Sequence, residues 1–155
     1  MIQRIQSLFL LLTSLLSVLF LSGNFLTFLN KSGIEIIMNF RGIWQSAGAG
    51  NITLLGHQII LPVIIILVSL ISFVAIFFYK NRKLQMKITI TVILLAAASI
   101  AVMIFYSFSI IRKYNADIIE GVRMFIPLLI LLFGILAYMG IKKDENLVKS
   151  YDRLR

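Results

Sequence analysis

The chain has 155 residues, 60% hydrophobic and 14% charged, with a formal net charge of +9 and a mean hydropathy of +1.00. A soluble domain carries about 25% charged residues, so a soluble globule is excluded, and abundant Leu, Ile and Phe beside few Gly and Pro exclude a disordered or collagen-like chain. The lack of Cys removes disulfides, thiolate nucleophiles and Cys-ligated metal, which leaves a membrane domain held together by packing.

Crossing a hydrocarbon core takes roughly 20 apolar residues. Residues 5–21 form the first such run. Arg4 before it and Ser22-Gly23 after it resemble a signal peptide, but no Ala-x-Ala pattern follows and the uncharged stretch continues to Asn30, so the run is expected to stay as a span.

The next 37 residues, 22–58, read as an ordered external loop. Two apolar runs, 25–29 and 34–40, flank the turn cluster Asn30-Lys31-Ser32-Gly33, the pattern of a β-hairpin. Ile34, Ile36, Met38 and Phe40 alternate with Glu35, Asn39 and Arg41, which predicts one apolar face lying on the helix ends and one wet face. Aspartate at Ile36 or Met38 should therefore cost stability, and changes at Glu35 or Asn39 should cost little. A third strand is expected over 52–55, after the flexible residues 46–50, and Trp44 suits the headgroup level. His57, the single histidine, fits an interfacial ring better than a ligand. Asn51-Ile52-Thr53 matches a glycosylation acceptor by chance.

Residues 59–79 and 88–111 form two further spans, joined through the polar stretch 80–87 as an antiparallel hairpin. Asp117 and Glu120 on the following short loop lie beside Arg112, Lys113 and Arg123, where salt bridging outweighs acid–base chemistry. Residues 124–141 form the fourth span, with Pro127 near its outer end. None of the four runs contains Asp, Glu, Lys, Arg or His, so a buried ion path of the kind carriers use is not expected. Their polar residues are hydroxyls, among them Thr13, Ser14, Ser17, Ser69, Ser72, Thr89 and Ser99, which with Ala96 and Gly134 suit close packing between helices. In the tail, 142–155, Leu147, Val148, Tyr151 and Leu154 fall on one helical face, so the fourth helix is expected to continue and become amphipathic.

Basic residues set the orientation. Arg4, Lys80, Arg82, Lys83, Lys87, Lys142, Lys143, Lys149, Arg153 and Arg155 lie on one side, against Lys31, Arg41, Arg112, Lys113 and Arg123 on the other. Both termini are therefore expected in the cytoplasm. The interface residues are Trp44 on one side and Arg4, Lys80, Arg82, Lys83, Lys87, Lys142 and Lys143 on the other, with anionic lipid rather than nucleic acid as the partner of the charge. Mixed charge in the tail suits protein recognition, which makes Asp144, Glu145, Leu147, Val148, Lys149, Tyr151, Asp152, Arg153 and Leu154 the candidate partner-binding residues.

Met1-Ile2-Gln3-Arg4-Ile5-Gln6 leading into a Leu-rich helix, and the ending Ile141-Lys142-Lys143-Asp144-Glu145-Asn146-Leu147-Val148-Lys149-Ser150-Tyr151-Asp152-Arg153-Leu154-Arg155, resemble the two ends of a family of small four-helix inner-membrane proteins of Bacteroidota, known only as a domain of unknown function. The resemblance implies a bacterial cytoplasmic-membrane protein and no activity. Gly42-Ile43-Trp44 in the first external loop is faintly similar to the Gly-Leu-Trp of claudin-type four-helix proteins, without their paired cysteines.

The expected fold is an all-α membrane protein: one four-transmembrane-helix bundle over residues 1–155 with a small external β-hairpin or sheet in the first loop. The expected function is non-enzymatic, an accessory or scaffolding subunit of a larger inner-membrane complex, in contact with membrane lipids and other integral membrane proteins or further copies of itself. The alternative is a small transporter or a lipid- or small-molecule-binding protein. No catalytic residue, cofactor or metal site is expected.

Overall fold

A computed structural model describes residues 3–30, 33–46, 52–119 and 121–153. The apolar runs form helices α1 (Gln3–Leu21), α2 (Ile60–Phe77), α3 (Arg82–Tyr114) and α4 (Ile126–Arg153). Proline falls only at Pro62 and Pro127, each in a first helical turn, where a missing backbone N–H breaks no ladder bond. Three segments, Ile60–Lys80, Arg82–Tyr114 and Val122–Val148, are long and apolar enough to cross a membrane, whereas the apolar part of α1, Ile5–Leu21, is shorter.

The polar stretch 80–87 is mostly helix rather than loop. A 3-10 turn, Phe78–Lys80, follows α2, and Asn81 caps α3 by accepting the Leu84 N–H on its side-chain oxygen at 3.3 Å. At its other end α3 stops at Asn115, whose φ of 46° is the left-handed conformation that Asn tolerates as a helix terminator. The tail continues α4 without a break to Arg153, as its apolar spacing predicts.

Each helix packs on two others: α1 and α3 each lie against both α2 and α4. The anticipated hydroxyls serve this packing. Thr13, Ser17, Ser72, Thr89 and Ser99 are buried and donate to carbonyls of their own helices, and the Ser14 and Ser69 hydroxyls meet at 3.3 Å between α1 and α2. Phe9 stacks on Phe133 between α1 and α4. A Cβ added to Gly140 would stand 2.9 Å from Cγ of Gln6, so glycine there sets the close approach of α1 to α4.

The all-α expectation is corrected by a five-stranded antiparallel sheet: β1 (Leu26–Asn30), β2 (Glu35–Asn39), β3 (Gly42–Ser46), β4 (Ile52–Gly56) and β5 (Ala116–Ile119), in the order β4-β3-β2-β1-β5. The β1–β2 hairpin and the strand beginning at Ile52 were expected from sequence; β3 and β5 were not. β2 and β3 join through a two-residue turn, Phe40 and Arg41, with Asn39 opposite Gly42. β5 comes from the connection between α3 and α4 and pairs along β1 from Thr27↔Ile119 to Asn30↔Ala116. The sheet is thus assembled from both connections at one end of the helices and is a layer of the fold, not an ornament of one loop.

Its register places Leu26, Phe28, Ile36, Met38 and Ala116 against the helix ends, in one core with Phe20, Leu61, Ile65, Ile110 and Ile126. Phe20 at the end of α1 stacks on Phe25 with ring centroids 4.5 Å apart, fixing the chain reversal into β1. The even-numbered face of β2 is the packed face, as its alternation predicts.

Candidate functional site

The two ends of the molecule differ in chemistry. At one, the starts of α1 and α3 meet the end of α4, because Gln6 donates through its side-chain amide to the Gly140 carbonyl at 3.0 Å and to the Asp144 carboxylate, and Arg82 donates to the Asp144 carbonyl at 2.9 Å. Lys80, Arg82, Lys83, Lys87, Lys142 and Lys143, chosen from sequence as interface residues, therefore gather at the end opposite the sheet. Arg4, assigned to the same rim, lies in the first turn of α1 at this end, and its side chain lies outside those described.

The proposed partner-binding tail is only partly available for a partner. Asp144 is buried, 5% exposed, and is used within the fold by Gln6. Glu145 is half-buried, and Leu147 and Val148 are each 42% exposed. The side chains of Lys149, Tyr151, Asp152 and Arg153, and all of Leu154, lie outside the described residues.

The other end presents the sheet face turned away from the helices, and this face is mixed, with exposed Glu35 and Asp117 beside apolar groups. Direct cross-strand neighbours Ile119, Thr27, Ile37, Trp44 and Leu54 make a row across all five strands, with Asp117, Leu29, Glu35, Ser46 and Ile52 in the row beside it. Leu29, Leu54 and Ile119 are each 41% exposed and Ile52 is 64% exposed. Trp44 belongs to this row, half-buried, so it points away from the helix ends rather than lying under the sheet. Its indole N–H donates to the Asn39 side-chain oxygen at 3.2 Å.

Asn39, expected to be an indifferent exposed position, is a junction. Its side-chain oxygen also accepts the Arg41 backbone N–H at 3.0 Å, and its carbonyl accepts from the Gln58 amide at 2.8 Å. Gln58 is 1% exposed, and its side-chain oxygen has no hydrogen-bond partner among the described residues. No charged or periodic motif singles out Gln58 or Gln6, and Gln6 enters the sequence reading only within the N-terminal segment that resembles the family.

Among the described residues, the two titratable groups weighed from sequence lie in different segments of the fold. His57 is exposed between β4 and α2, Asp117 is exposed on β5, and Glu120 lies outside the described residues. Among the described residues no group of three His, Asp or Glu has metal-binding proximity.

A family model matches residues 2–154, nearly the whole chain. The chain belongs to the DUF4293 family, a domain of unknown function. For this DUF4293 chain the match agrees with the unknown-function family suggested by its two ends, and it speaks neither to the bacterial group nor to claudin-type proteins. No curated protein matches the chain.

Proposed function

We propose that this DUF4293 protein is a non-enzymatic integral membrane protein, an accessory or scaffolding subunit of a larger inner-membrane complex, which receives the external part of its partner on the outer sheet face. In this reading α1 crosses beside the three longer helices, both termini are cytoplasmic, and the sheet stands outside. The observation that carries the proposal is the mainly apolar row across the outward face of the sheet, Leu54, Trp44 and Ile37 followed by Thr27 and Ile119, which ends in an apolar side chain at each edge strand. Contiguous apolar surface outside a membrane is costly in water at about 25 cal/mol per Å² and marks interaction sites on soluble faces. Asp117 and Glu35 flank Leu29 on the same face, so a partner segment with apolar side chains and basic margins is complementary.

In the tail, Asp144 is turned inward, and among the described side chains Leu147 and Val148 are the exposed apolar ones. A photo-crosslinking amino acid placed at Leu54 or Ile119 in cells should yield one discrete adduct with another membrane protein, and the same probe at Ile66 on α2 should not. Adducts of equal pattern at all three positions, or none at the sheet, contradict the proposal.

A further inference from the structure

We propose that the cleft between the α2–α3 turn and the last described side chains of α4 is a specific site for the phosphate headgroup of an anionic phospholipid. The cleft is about 510 Å³ and is lined by Lys80, Asn81, Arg82, Lys83, Glu145 and Val148. Three cations face one acid in this concavity. Arg82 is held in place by donating one N–H to the Asp144 carbonyl at 2.9 Å, which leaves the rest of its guanidinium fork to turn to a ligand. Asn81 spends its side-chain oxygen on capping Leu84, so its amide group is directed elsewhere as a donor. A fixed guanidinium, two flexible ammonium groups and an amide donor make a set suited to a monoanionic or dianionic phosphate.

The surroundings select a lipid over a free anion. Immediately before Lys80 the chain exposes Phe77 at 67%, Phe78 at 39% and Tyr79 at 52%, and across the cleft Val148 is exposed at 42%. A phosphate ion in water would leave these groups uncovered. A phospholipid seated with its headgroup among the lysines lays its acyl chains along the aromatic and aliphatic surface, satisfying both halves of the site at once. The inference rests on the membrane reading above but not on the partner proposed for the sheet.

The test uses the full chain, purified in mild detergent and titrated with phosphatidylglycerol or phosphatidylcholine while retained lipid is counted by native mass spectrometry. Phosphatidylglycerol should be retained preferentially. The double variant K80Q/K83Q should weaken its retention about tenfold or more, as expected from losing two surface cations. The control K142Q/K143Q removes equal charge from exposed residues of α4 outside the cleft and should change retention less than about threefold. Millimolar inorganic phosphate should not displace the lipid. Equal losses in both double variants would show a diffuse charge effect, and displacement by phosphate alone would show a soluble-anion site; either result overturns the proposal, as does unchanged retention in K80Q/K83Q. Because Lys80 and Lys83 are exposed, folding should persist, and the single variant K83Q with an intermediate loss guards against misfolding of the pair. Release of the native chain from membranes by alkaline carbonate would contradict the membrane reading itself, a separate outcome.

Discussion

At the scale of single residues, the helices are joined by a few uncharged polar groups whose importance is invisible in composition. Gln6 is 6% exposed and reaches from α1 to both the Gly140 carbonyl and the Asp144 carboxylate, while Gly140 makes room for its stem. Removing one partner of a buried polar pair leaves the other unsatisfied, which costs more than the net value of the bond. Gln6→Leu should therefore destabilise the protein by about 1–3 kcal/mol, measured by denaturant unfolding in detergent. Gln6→Glu should be worse, since it sets a second carboxylate against Asp144. A neutral effect of both would show that the amide does not hold α1 to α4. Asp144 was legible in the sequence as part of a charged tail but not as a buried group, because its partner lies 138 positions away.

At the scale of elements, the helices were legible because long uncharged runs leave few alternatives, and the largest differences at their ends are the early start of α3 and the continuation of α4 through the tail. Asn81 moved the start of α3 to Arg82, ahead of the apolar run, by supplying an acceptor that hydropathy does not register. The sheet was legible only in part. Alternation identified β2 and its packed face, yet β5 is four residues long and acquires its meaning by pairing with β1 across two helices of intervening chain. β3 was hidden by its opening glycine: Gly42 has a φ of 148°, and a Cβ there would stand 2.7 Å from the Gly56 carbonyl oxygen on β4. Gly42→Val should thus disturb the β3–β4 pairing. The more discriminating comparison is Phe28→Ala, fully buried under the sheet and expected to cost about 3–5 kcal/mol, with Asn39→Ala. The latter frees the Trp44 and Arg41 N–H groups and should cost about 1–2 kcal/mol, while Glu35→Ala stays within about 0.5 kcal/mol. Unfolding midpoints check all three, and an Asn39→Ala effect as small as that of Glu35→Ala would remove the Asn39 side chain as a link between β2 and β3.

At the scale of the whole molecule, the uneven placement of basic residues and the placement of the sheet are two independent observations that agree. The ten basic residues assigned to one side by sequence include Lys80, Arg82, Lys83, Lys142 and Lys143, which the fold gathers at one end, and all five strands lie at the other. What sequence missed at this scale is the chemistry of the sheet face turned away from the helices: Leu29, Ile37, Trp44, Leu54 and Ile119 come one from each of the five strands and from both connections, and only the pairing register brings them together. The natural absence of Cys makes the decisive measurement clean, because single cysteines can be introduced without background. With Leu54→Cys and Lys83→Cys made separately, intact cells treated with a membrane-impermeant thiol reagent should label the cysteine at position 54 and spare that at 83, which should react only after the membrane is opened. Equal labelling of both positions in intact cells, or labelling of 83 and not 54, would contradict a membrane-spanning protein that holds its sheet outside and its basic end in the cytoplasm.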